Sequence, residues 1–198
     1  MIVTRVVKLL PTPEQASALA ATLRACNEAC GLISKAAHAD SVFDRNGVHH
    51  LMYRRVREEY GLGAQAVVHC VKKTVDAYKV LHAQAGAGLL GKEGSARRVK
   101  TLGKPITFGP SSAQPFDDRM LTWRHDARTV SIWTVSGRLK DVAFTGEPGQ
   151  LKQITEHRKG ESDLVHRDGM WFLHAAVELP EAALNTEPSG LSGWIWGS

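Results

Sequence analysis

The stretch Ile2-Val3-Thr4-Arg5-Val6-Val7-Lys8-Leu9-Leu10-Pro11-Thr12-Pro13-Glu14-Gln15 decides the architecture. Its first nine residues are rich in β-branched and aliphatic side chains and read as a strand. A helix start follows almost at once. Thr12 stands at the N-cap, Pro13 at the first helical position and Gln15 at the third, the pattern of a capping box. A single strand is not stable alone, because its ladder of N–H and C=O groups needs partners. This one must therefore join strands encoded later. The helices in between become an insertion into a β-barrel-like domain.

Working outward, the first helix carries Leu19, Leu23, Cys26, Cys30 and Ile33 at three- and four-residue spacing and is expected to end near Ala37. A second helix is expected from Val48 to Tyr60, with Leu51, Tyr53 and Val56 on its apolar side and Arg54, Arg55 and Arg57 elsewhere. Gly61-Leu62-Gly63 ends it. A third runs from Ala64 to Ala83 on a stripe of Val67, Val68, Val71, Val75, Tyr78 and Leu81, with Lys72, Lys73 and Lys79 off the stripe. The segment 85–104, with glycines at 86, 88, 91, 94 and 103, reads as a flexible basic connector.

From Pro105 the period changes to alternation. Strands are expected at Ile106–Phe108, Met120–Trp123, Thr129–Val135 and Val142–Phe144, with turns at Asp126-Ala127 and Ser136-Gly137. A short helix from Gly149 to Glu156 interrupts them. Asp163–His166 and Met170–Val177 flank Asp168-Gly169, a pair suited to a type I′ hairpin turn. The fold class is α+β. Its divisions are a first strand at 1–10, a helical lobe at 11–84, the connector at 85–104, a β-barrel at 105–184 and a tail at 185–198.

The 198 residues carry a net charge of +5, unevenly spread. Residues 54–104 hold eleven Lys and Arg against four Asp and Glu, whereas 181–198 hold two Glu and no base. A local excess of this kind suits a polyanion, and equally a solvated helix face. No apolar run has the length of a membrane span, and the N-terminus lacks the pattern of a signal peptide, so a cytoplasmic location without membrane partners is expected. Three cysteines make no disulfide framework. Cys26 and Cys30, four apart, read as buried structural thiols rather than metal ligands. Asp117-Asp118 precedes a strand and reads as turn chemistry rather than acid–base chemistry. His49-His50 is the one close histidine pair, and helical neighbours point apart. No catalytic or metal-binding constellation emerges.

The order and spacing of several words carry a resemblance. They are Lys8–Gln15, Tyr60–Ala66 followed by Asp76-Ala77-Tyr78-Lys79, Phe116–Arg119, Thr129–Thr134, Gly160–Leu164 and Arg167–Leu173. Across roughly residues 1–190 the chain resembles the N-terminal half of TnpB proteins. These are the OrfB-type, transposon-encoded, RNA-guided DNA nucleases related to type V CRISPR effectors. The resemblance implies an OB-like barrel, the wedge domain, with an inserted helical recognition lobe, together holding guide RNA and target DNA. It implies that a RuvC-like nuclease with Mg²⁺-binding carboxylates, and a zinc ribbon, belong to a C-terminal half that this sequence lacks. On that basis the chain is expected to need no cofactor and to be inactive alone. The alternatives are a non-functional decay product of an insertion-sequence gene, or a regulator that blocks intact copies.

In the family the tail would continue into Leu-Gly-Val-Asp-Leu-Gly-Ile, whose Asp binds metal. Here it reads Leu191-Ser192-Gly193-Trp194-Ile195-Trp196-Gly197-Ser198. Trp194-Ile195 is encoded TGG ATH, and Trp196-Gly197 begins TGG GG. One base out of frame, those bases give GAT, then a Leu or Met codon, then GGG, which is Asp-(Leu/Met)-Gly. A one-base shift near Gly190 is therefore expected, the other reading being a different native C-terminus. The bases expected to touch nucleic acid are Arg54, Arg55, Lys72 and Lys73 on the helices and Arg97, Arg98, Lys100 and Lys104 in the connector. Tyr78, and Trp123 beside Arg124, are the expected stacking groups.

Overall fold

A computed structural model describes residues 1–180. The tail, including the expected frame-shifted stretch, lies outside the described residues. The element order is β1 (Ile2–Leu10), α1 (Pro13–Asp40), α2 (Arg45–Tyr60), α3 (Ala64–Gly86), α4 (Ala96–Leu102), β2 (Gln114–Phe116), β3 (Leu121–Arg124), β4 (Thr129–Thr134), β5 (Gly137–Thr145), α5 (Pro148–His157), β6 (Arg158–Arg167) and β7 (Met170–Glu178).

The seven strands form one antiparallel, nearly closed, barrel-like sheet in the order β2-β6-β7-β1-β5-β4-β3. The first strand is central. It pairs with β7 from Ile2↔Glu178 to Leu9↔Trp171, and with β5 at Lys8↔Thr145 to Leu10↔Ala143. Four helices thus stand between β1 and β2 in the chain. Odd-numbered β1 residues Val7 and Leu9 enter the core with Leu164, Leu173, Ala175 and Val177. Even-numbered Ile2, Val6 and Leu10 are exposed, Leu10 by half and Ile2 by 72 %.

The local chemistry explains the boundaries. Thr12 Oγ1 accepts from Gln15 N, and Gln15 Oε1 accepts from Thr12 N, completing the capping box. Asp44 caps α2 by accepting from Gly47 N at 2.8 Å. Gly61 ends α2 in the left-handed region at φ 62°, where a side chain would be strained. Asp168 and Gly169 both have positive φ between β6 and β7, as a type I′ turn requires.

Three expectations need correction. Ile106–Phe108 is not a strand. Pro105 and Pro110 flank it, and the Ile106 N–H is taken by the Tyr78 hydroxyl at 3.4 Å. The edge strand is instead β2, where Pro115 is tolerated because an edge residue can do without a ladder N–H. The connector is not a structureless linker throughout. The third helix runs on to Gly86, and α4 is capped by Ser95, which accepts from Arg98 N. Leu51 is 41 % exposed; α2 buries Val56 as expected, with Val48 and Met52 in place of Leu51.

Candidate nucleic-acid interface

The helical block buries its apolar stripes and leaves its cations in three different situations. Arg54 and Arg55 on α2 are exposed, and Arg55 pairs with Glu59 one turn on, at 3.3 Å. Arg54 and Arg57 have no carboxylate within ion-pair distance among the described residues. Along the same helix, His49 stacks on Tyr53 with ring centroids 4.6 Å apart and planes 29° apart. The Arg57 guanidinium lies over the other part of that ladder, 5.8 Å from the Tyr53 centroid. Sequence reasoning missed this stack. Its signal was present in the i, i+4, i+8 spacing of three planar side chains.

Lys72 and Lys73 on α3 are half-buried and engaged, which corrects the expectation that they are exposed. Lys72 donates to both carboxylate oxygens of Glu161 on β6 at 2.5 Å. Lys73 reaches inward, donating to Asn27 Oδ1 at 2.5 Å and Gln114 Oε1 at 3.5 Å, with the Phe108 ring 5.3 Å away. Burial lowers the pKa of this ammonium, while the nearby thiols of Cys30, Cys70 and Cys26 oppose the shift. Lys73 therefore belongs to the seam between α1, α3 and β2.

The three thiols sit in that seam, fully buried. Cys30 Sγ approaches Cys70 O and Cys70 Sγ approaches Cys26 O, each at 3.6 Å. The Cys70 thiol is held well above its ordinary range by hydrogen bonds to the Cys26 and Cys30 side chains and by burial. Cys26 and Cys30 are structural, as read from sequence, and Cys70 completes the group. Among the described residues no set of three or more His, Cys, Asp or Glu is arranged to hold a metal ion.

Tyr78 is 1 % exposed and is a core residue, not a stacking surface. Its ring lies 4.6 Å from that of Phe43, and its hydroxyl bonds to Ser34. Arg97 and Lys100 on α4, and Lys104 just beyond it, are exposed, whereas Arg98 donates to Ala85 O at 3.1 Å and ties α4 to the end of α3. On the sheet, Trp123 is half-buried, parallel to His125 at 5.7 Å and edge-on to Phe144 at 5.2 Å. Its neighbour Arg124 is exposed but paired with Asp141 at 2.7 Å.

A polar seam joins α3 to the sheet. Gln65 donates to Asp117 Oδ2 at 2.6 Å, and the buried His69 ring lies between Asp117 (3.5 Å) and Glu161 (3.7 Å). The other Asp117 oxygen accepts from Arg119 N and Met120 N, so this carboxylate is occupied in turn formation.

No protein-family model and no curated protein matches this chain. Among the described residues no helix is long and apolar enough to cross a membrane.

Proposed function

We propose that this chain is the nucleic-acid-binding part of a TnpB-type RNA-guided nuclease, an OB-like wedge barrel with an inserted recognition lobe that grips guide RNA and DNA. The observation that carries this reading is the placement of the four-helix block between β1 and β2 of a nearly closed antiparallel sheet in which β1 is central. The order of words quoted from the sequence supports it. So do the cations that the fold leaves available, Arg54, Arg97, Lys100 and Lys104. Such groups contact phosphates and give affinity without sequence information. Specificity comes in this scheme from pairing of the guide with its target.

A second feature fits. Ile2, Val6 and Leu10 are exposed at alternate β1 positions, in register with a β7 face that carries Phe172 and His174. An apolar sheet face of this kind suits packing against further protein. Cleavage in this scheme needs Mg²⁺ held by carboxylates of a nuclease domain, so the 198-residue chain binds without cutting. The test is fluorescence anisotropy with the RNA transcribed from the 3′ end of the gene itself. Sub-micromolar, salt-sensitive binding that exceeds binding to an unrelated RNA is expected. Equal binding to both, or Mg²⁺-dependent cutting of guided DNA by the chain alone, overturns the reading.

A further inference from the structure

We infer that the outer face of α2 is a stacking platform for an unpaired stretch of nucleic acid, with His49, Tyr53 and Arg57 as its planar rungs. The inference deepens the proposed function and rests on it. The helix has two sides with different work. Val48, Met52 and Val56 bury against α1 and α3. The ladder lies outside that stripe, with Tyr53 half-buried and Arg54 and Arg57 exposed.

The surface is also shaped. An open hollow of about 550 Å³ is lined by His49, Tyr53, Arg54 and Glu58, among others. A second, of about 430 Å³, lies over Tyr53, Arg54, Arg57 and Glu58. Tyr53, Arg54 and Glu58 border both, so a ring seated in either hollow meets an aromatic rung and a guanidinium, with one carboxylate beside them. The stack places imidazole, phenol and guanidinium in succession along about two helical turns. Such groups accept a nucleobase on any π-face, and the cation adds attraction to the ring and to the adjacent phosphate.

Charge favours a polyanion over an acidic or apolar protein segment. Arg45 is held by Asp76 at 3.8 Å and Arg55 by Glu59 at 3.3 Å, which leaves Arg54 and Arg57 as the arginines of this helix without a carboxylate partner among the described residues. Arg57 lies over the Tyr53 ring, and Arg54 lines the same hollow. Bases inside a duplex are already stacked on one another and offer no face to a helix surface, so the fitting ligand is single-stranded.

The experiment uses the whole chain and an unstructured single-stranded RNA bearing 2-aminopurine, with a duplex of the same sequence beside it. The wild type is expected to quench 2-aminopurine on binding and to bind the single strand at least tenfold tighter than Tyr53→Leu does. Duplex affinity should change less than twofold. Arg57→Gln, at an exposed position where folding is not at risk, should weaken single-strand binding severalfold. Thermal melting of each variant separates misfolding from loss of the platform. If the wild type binds while Tyr53→Leu and Arg57→Gln match it on the single strand, the platform is overturned and the wider reading stands. If the wild type binds neither form, the nucleic-acid reading falls and the platform with it.

Discussion

Replacing Tyr78 by Phe removes a single oxygen from the interior of the helical block. That oxygen is fully used: it donates to Ser34 O at 3.1 Å, meets Ser34 Oγ at 2.9 Å, and accepts from Ile106 N at 3.4 Å. With its one proton given to the Ser34 carbonyl, the hydroxyl accepts from Ser34 Oγ–H and from Ile106 N–H on its two lone pairs. The Phe variant keeps the ring against Phe43 and leaves three polar groups without that partner. Leaving a buried polar group unsatisfied costs about 1–3 kcal/mol, and the variant should lose an amount in that range. For a chain of this size that is a fall of roughly 2–12 °C in melting temperature. Ser34→Ala removes only one of the three contacts and should cost less. The two changes should couple by at least about 0.5 kcal/mol in a double-mutant cycle. Circular dichroism melts read stability and anisotropy reads RNA affinity, which should not change. A Tyr78→Phe protein that melts like the wild type but binds RNA more weakly would refute the core assignment and restore Tyr78 as a contact residue.

Thr12→Ala removes half of the capping box and should cost about 1 kcal/mol. Gln15→Ala should cost no less, because Gln15 Nε2 also donates to Lys140 O at 3.3 Å and ties the start of α1 to β5. The pair should be non-additive in thermal melts. Burial, with Arg158 nearby, lowers the His125 pKa from 6.5. The unfolded chain then takes up a proton that the native state resists, so this contribution is complete above pH 6.5 and is lost as pH falls through the lower folded value. His125→Gln should flatten the melting-temperature profile just on the acid side of pH 6.5. The backbone N–H groups of Gly149 and Gln150 lower the Glu147 pKa from 4.5, so its loss comes only at more acid pH and should survive the His125 change. Lys72→Gln should cost no more than about 1 kcal/mol, since the pair with Glu161 is partly exposed, and should leave RNA binding unchanged. Arg97→Gln should instead lower the salt slope of binding by about 0.7–0.9, one phosphate contact's worth.

The fold was legible where local chemistry and period agree. Thr12, Pro13 and Gln15 carry a helix start in their side chains, and Asp168-Gly169 carry a turn in their tolerance of positive φ. A strand with no neighbour in sequence had to find one, and β1 lies between β7 and β5. What was not legible is set by tertiary partners. Ile106–Phe108 alternates like a strand, yet its backbone N–H goes to Tyr78 rather than to a ladder. Val48, Met52 and Val56 match a helical stripe as well as Leu51 does. Only the position of α1 and α3 decides which side is buried.

The basic residues show why charge alone gives a poor site list. Lys72 and Lys73 are adjacent and lie off the apolar stripe of α3, the sequence signature of solvated cations. The sheet packs against that side of the helix, so one lysine meets Glu161 and the other meets Asn27 and Gln114. A lysine's long stem lets its charge travel to whatever partner the fold supplies, so its position on a helical wheel says little about where its ammonium ends. Arg54 and Arg57 on α2 meet no such partner among the described residues, whereas Arg45 at the start of the helix reaches Asp76 on α3. Aromatic residues obey the opposite rule. Tyr78 packs fully into the core, whereas Tyr53 lies half-buried at its edge, and their neighbours at i±4 differ. Tyr78 has buried Thr74 one turn before it and His82 one turn after it, while Tyr53 has a planar polar group at both places, His49 and Arg57. A planar polar group on both sides of the aromatic, rather than on one, goes with the more exposed ring here. That is why the α2 ladder, rather than the longer list of lysines, is the place to test for a base.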